Sequence, residues 1–151
     1  MEPKIVSTPA FTIVGAKYRG KNENNEIKQM WEEFYPRMGE IQRIVNPDVC
    51  YGACANTDEQ THEFDYVAGF EVESAAGIPE GMASLEVPAP TYAVFSTTLP
   101  GIGATFDYAY HTWLPQSGYQ PAGGPEFELY GEEFDPRDPA STFDIYIPVK
   151  K

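Results

Sequence analysis

The sequence predicts an α+β fold: duplicated β-α-β-β units forming an antiparallel sheet, with two main helices on one face and a groove on the other. Three observations lead there. Short runs rich in Val, Ile, Phe and Tyr alternate with polar turns, two stretches carry apolar residues at helical spacing, and the order strand, helix, strand, strand occurs twice. With 151 residues, 42% of them apolar and 14% aromatic, the chain is expected to be one domain over 1–151, with pseudo-repeats about 8–75 and 86–150.

The first unit opens on "AFTIVGAKYRG" (10–20), a strand closed by glycine. From Ile27 the apolar residues Ile27, Met30, Trp31, Phe34, Met38, Ile41 and Ile44 keep helical spacing, so one stripe runs along a helix that Pro36 kinks or restarts. Trp31 is read as core. "PDVCYGACAN" (47–56) and "FDYVAGFEVES" (64–74) are strands, and Gly69 in the latter invites a bulge or a close approach of another group. "SAAGIPEGMA" is a connection punctuated by Gly and Pro.

The second unit repeats the order. "TYAVFSTTLPG" (91–101) is a strand, and "IGATFDYAYHTWL" (102–114) is a helix with Phe106, Tyr110, Trp113 and Leu114 on one face, stopped by Pro115 and Gly118. "EFELYGEEF" and "TFDIYIPV" (142–149) are strands. "PAFT" (9–12) and "PAPT" (88–91) both lead into the first strand of a unit, a faint echo beside the recurrence of element order. A helix covering one sheet face would take Phe127 and Leu129, leaving Glu128 and Tyr130 on the other, where packing of the two halves would line a groove with them.

The net charge is −13, and after Arg43 the only cation before Lys150 and Lys151 is Arg137. Phosphate binding needs clustered Lys and Arg, so nucleic acid is not expected as a direct partner, and an anionic membrane surface is disfavoured for the same reason. On one strand Cys50 and Cys54 would lie about 13 Å apart, too far to bridge, and are read as reduced thiols. No Cys/His spacing suggests a metal, no cofactor motif is present, and without a signal peptide or a long apolar run the expected location is cytoplasmic.

Catalytic signatures are also missing. "GIGATF" has Phe106 where a dinucleotide loop needs its third glycine, and there is no P-loop, GxSxG or HExxH. His62 in a polar loop and His111 on a helix have no nucleophile nearby in sequence and read as solvated.

"TWLPQSGYQPAGGPEFELYGEEFDP" followed by "TFDIYIPVKK" resembles the GyrI-like family, the effector-binding domain of AraC- and MerR-type drug-responsive regulators; "YGACAN" and "YVAGFEV" are similar to the strand pairs of its first half. The resemblance implies a bacterial small-molecule-binding protein of duplicated β-α-β-β fold, related to multidrug-binding transcription regulators, with a ligand groove for aromatic, often cationic compounds and a glutamate within it. Glu128 matches that glutamate. A carboxylate withdrawn from water needs a partner, and a lipophilic cation on aromatic rings supplies one. Glu126 is nearer the loop and read as more solvated. Tyr130, Tyr51, Tyr92, Trp113 and Tyr110 are nominated as groove walls, since these rings pair a stacking face with a polar tip.

The leading expectation is a stand-alone binder of amphipathic cations or aromatic drugs. No basic helix-turn-helix is present, so direct transcriptional control by this chain is not expected. Two alternatives come with the resemblance. One is hydrolysis of cyclopropanoid DNA-alkylating natural products, with Glu128 as general base and Tyr92 or Tyr51 as orienting donor. The other is a protein partner, DNA gyrase or a regulator.

Overall fold

A computed structural model describes residues 2–88 and 91–151; Ala89 and Pro90 of the "PAPT" echo lie outside the described residues. In chain order the elements are β1 (Lys4–Ser7), β2 (Phe11–Gly20), α1 (Glu26–Phe34) with a 3-10 extension (Tyr35–Glu40), β3 (Cys50–Ala55), β4 (Phe64–Val72) and β5 (Met82–Val87). They continue with β6 (Thr91–Thr98), α2 (Ile102–Tyr108), a π-helical turn (Ala109–Trp113), α3 (Leu114–Ser117), β7 (Gln120–Pro121), β8 (Glu126–Tyr130) and β9 (Thr142–Lys150).

One nine-stranded antiparallel sheet has the order β1-β6-β9-β8-β3-β4-β2-β5, with β7 paired to β9. The β2-α1-β3-β4 sequence recurs as β6-α2-β8-β9, and the two units meet where β3 pairs with β8. The outer strands are exchanged: β1 leads into the first unit but pairs with β6, while β5 leads towards the second and pairs with β2. Neither strand was legible in the sequence. Four residues of lead and a run beside Gly and Pro carry too short an alternation to stand out.

Proline set the helix ends differently from expectation. The stripe from Ile27 to Ile44 is α-helical only to Phe34, where Pro36 tightens the chain into a 3-10 turn. Ile41 is extended and Ile44 bridges to Val72, yet both pack in the same cluster as Phe34. In the second unit the helix runs past Pro115 to Ser117, and Gly118 ends it at φ 82°. The π turn just ahead widens the backbone where the proline ring would otherwise strike the carbonyl of His111.

Both helices cover the same sheet face. α1 packs on Val14, Tyr66, Ala68 and Phe70, and the second helix packs on Ala93, Phe95, Phe143 and Ile145. The opposite face is filled by its own side chains: Ile13, Tyr51, Ala53, Val67, Tyr92, Val94 and Phe127 form one cluster drawn from both units. Burying such side chains contributes about 1.5–3 kcal/mol each. Gly69 faces Gly15 across β4 and β2, and a Cβ there would sit 2.0 Å from the Val14 carbonyl oxygen, so the close approach anticipated at Gly69 is between backbones.

The expected facing of β8 is reversed. Phe127 and Leu129 belong to the helix-free cluster, whereas Glu128 pairs with Ile145 and Gly52 on the helix-covered face, and Tyr130 packs beside Phe143 under the second helix. Period-two alternation separates the two sets of side chains but does not say which set meets a helix.

Candidate functional site

The central seam of the sheet places a carboxylate under two helices. In β8, Glu126, Glu128 and Tyr130 share a face, opposite Cys54, Gly52 and Cys50 of β3. Tyr66 of β4 lies next to Cys54 in the ladder. From above come Trp31 on α1 and Tyr110 on the π turn.

Glu128 is buried, 8% exposed, and its Oε1 accepts two hydrogen bonds, from Tyr66 at 2.7 Å and from Tyr130 at 2.6 Å. Tyr66 in turn accepts a bond of 3.1 Å from the indole Nε1 of Trp31. The Trp31 ring stands edge-on to Tyr130 at 5.8 Å. Beside this group the Tyr110 hydroxyl donates to Glu126 Oε2. Trp31, Tyr110, Glu126 and Tyr130 are half-buried, so the buried Glu128 and Tyr66 lie beneath a partly open layer.

Gly52 makes room for the arrangement. A Cβ at that position would lie 2.0 Å from the Tyr66 hydroxyl oxygen and 2.6 Å from Glu128 Oε1. Any other residue would occupy the space through which Tyr66 reaches the carboxylate.

The electrostatics are those of negative charge without a counterion. Burial pushes Glu128 up to about 7; the bonds from Tyr130 and Tyr66 pull the other way, and the neighbouring Glu126 adds to the rise. Burial raises Glu126 as well, against the bond from Tyr110. Tyr66, Tyr110 and Tyr130 are all raised, first by burial and then by the adjacent carboxylate, so each keeps its proton and acts as a donor. Burial raises Cys54 well above its ordinary value too, leaving it a neutral thiol. Among the described residues neither Glu126 nor Glu128 takes part in an ion pair.

Of the residues nominated from sequence, Glu128, Tyr130 and Tyr110 are brought together. Tyr51 and Tyr92 are not: both lie on the opposite sheet face, in the helix-free cluster. Trp113 packs edge-on against Phe95 and lines a separate cavity of about 350 Å³ with Ile5 and Tyr119. Glu126, read as solvated, is half-buried and bonded. Sequence reasoning missed Tyr66 and Gly52 and left Trp31 to the core. Their signal is a register signal: the pairings Gly52 with Glu128 and Cys54 with Tyr66 exist only once β3 lies between β8 and β4. Among the described residues no group of three or more His, Cys, Asp or Glu could hold a metal ion, and no helix is long and apolar enough to cross a membrane.

Comparison with known proteins agrees with this architecture. Residues 4–149 match the model of the family described as Cass2, integron-associated effector binding protein. The chain is 43% identical over 152 residues to the transcriptional regulator BrlR of Pseudomonas aeruginosa, covering 99% of this chain and 56% of that protein's length. Its fold is similar to that of SAV2435, solved bound to tetraphenylphosphonium, with a TM-score of 0.78 at 19% identity over 99% of this chain and 94% of the other. It is also similar to an integron cassette protein from the mobile metagenome of Vibrio cholerae, with a TM-score of 0.68 at 21% identity over 99% and 96% of the two chains. The chain belongs to the integron-associated effector-binding protein family.

Proposed function

We propose that this chain binds aromatic, cationic amphipathic compounds between its two helices, with Glu128 as the counter-charge and Trp31, Tyr66, Tyr110 and Tyr130 as the surrounding rings. One observation carries the reading: a buried carboxylate whose hydrogen-bond partners are neutral hydroxyls and which enters no ion pair among the described residues. Keeping such a group ionised is costly, and a guest that brings both a positive charge and aromatic surface offsets the cost and stacks on the rings. That SAV2435 was solved with tetraphenylphosphonium supports the ligand class.

The whole chain is taken to act as one effector-binding unit, built from the two repeats. The exclusion of nucleic acid is proposed for this chain alone, on its charge of −13. BrlR is a transcriptional regulator, and the chain spans 56% of its length. The hydrolytic alternative loses its expected oxygen donors, because Tyr51 and Tyr92 lie across the sheet from Glu128. No observation favours gyrase as a partner.

Calorimetric titration with tetraphenylphosphonium tests the proposal. Glu128→Gln keeps the shape and the hydrogen-bonding oxygen while removing the charge, and is expected to weaken binding about tenfold or more. Equal affinity in the two proteins would remove Glu128 from the site.

A further inference from the structure

A second aromatic pocket, partly open to solvent, lies on the helix-free face. It has a volume of about 260 Å³, and Thr8, Phe11, Tyr51, Glu71, Phe127 and Tyr146 are among the residues lining it. Its rings are mutually packed: Phe11 is 5.3 Å from Tyr51 and 5.5 Å from Phe127, and Phe127 stacks on Tyr146 at 4.5 Å. Glu128 takes no part, because it belongs to the other side of the same strand as Phe127.

Two features distinguish this space from a packing defect. Glu71 places a half-buried carboxylate in its wall and enters no ion pair among the described residues. The Thr8 hydroxyl oxygen, also in the wall, is fully buried with no hydrogen-bond partner among the described residues. Behind the wall, the Tyr92 ring stands edge-on to both Phe127 and Tyr146, at 5.2 and 5.7 Å. A purely apolar void would have neither the acid nor the unsatisfied hydroxyl. Burial first, and Glu71 second, push the Tyr51 hydroxyl up to about 12, so it stays a proton donor at the carboxylate's side.

We propose that this pocket is a second binding site, for a small aromatic ammonium compound whose ring packs against Phe11 and Tyr146, over the Phe127 beneath them, and whose charged nitrogen meets Glu71. The volume lies just under the usual range for drug-sized pockets, which suits one ring with a short aminoalkyl arm. An N–H donor is favoured over a quaternary nitrogen because the Glu71 carboxylate can accept a charge-assisted hydrogen bond. This site is independent of the Glu128 site in residues and in sheet face.

The test uses 2-phenylethylammonium and its neutral analogue 2-phenylethanol, followed by nuclear magnetic resonance. In the full chain carrying Glu128→Gln, the amine is expected to shift the ring resonances of Phe11, Phe127 and Tyr146 saturably, and added Glu71→Gln is expected to weaken it about tenfold. The alcohol, compared on the same protein without the Glu71 change, is expected to bind about tenfold more weakly than the amine. That arm does not depend on the fold of a second variant. Shifts confined to Trp31, Tyr66 and Tyr110, no saturable shift at all, or equal binding of alcohol and amine would each overturn the proposal.

Discussion

Glu128 owes its chemistry to where its neighbours put it. Its value of about 7, against an ordinary 4.5, means that the folded protein holds this proton more tightly than the unfolded chain does. Between those two values the native state therefore binds more protons, and stability falls as pH rises from about 4.5 through about 7, then levels off. Glu126, raised in the same direction, adds to the slope. For Glu128 the full span corresponds to about 3 kcal/mol at most. Denaturant unfolding at pH 5 and pH 8 checks it: the loss towards pH 8 should be clearly smaller in Glu128→Gln, and identical slopes in the two proteins would contradict an ionising carboxylate at this depth. On the proposed function a cation would bind the deprotonated form, so affinity for tetraphenylphosphonium should rise over the same interval in which the unliganded protein loses stability.

At the scale of the elements, the β3–β8 seam sets the geometry. β3 is a short strand in which every residue but Tyr51 is small, and its glycine is the position opposite Glu128. Gly52→Ala would drive a methyl into the Tyr66 hydroxyl and the Glu128 oxygen, forcing Tyr66 aside. It is expected to destabilise the fold by about 1–3 kcal/mol and to weaken tetraphenylphosphonium binding, read by chemical unfolding and by titration. Unchanged affinity would mean that the bond from Tyr66 does not matter to the ligand. The helices illustrate what spacing can reveal. The stripe from Ile27 to Ile44 correctly identified the side chains that pack together, including Ile41 and Ile44, although the last of them are not helical. Pro115 was read as a stop because a proline within a helix usually is one, and a π turn was the exception that local sequence does not announce.

Over the whole molecule, the exchange of β1 and β5 ties each unit to the other at its outer strands, while β3 and β8 tie them at the centre. Neither unit completes its own sheet. The chain is accordingly expected to unfold in one calorimetric transition with equal calorimetric and van't Hoff enthalpies. Two resolved transitions would mean that the repeats are separable domains. The charge of −13 belongs to this scale too: it opposes phosphate and attracts cations to the whole surface, without choosing a site.

Local pattern alone was enough for the α+β class, the repeated order of elements, the apolar sides of the main strands and the carboxylate-bearing face of β8, because each depends on neighbours two to four residues apart. Which face of β8 the helices would cover depended instead on strand order and register. These bring Gly52, Tyr66 and Trp31 to Glu128 across as many as 97 positions of chain, and send Tyr51 and Tyr92 to the far side of the sheet. A strand's alternation is the same whichever way it is turned, and only the packed sheet breaks that tie.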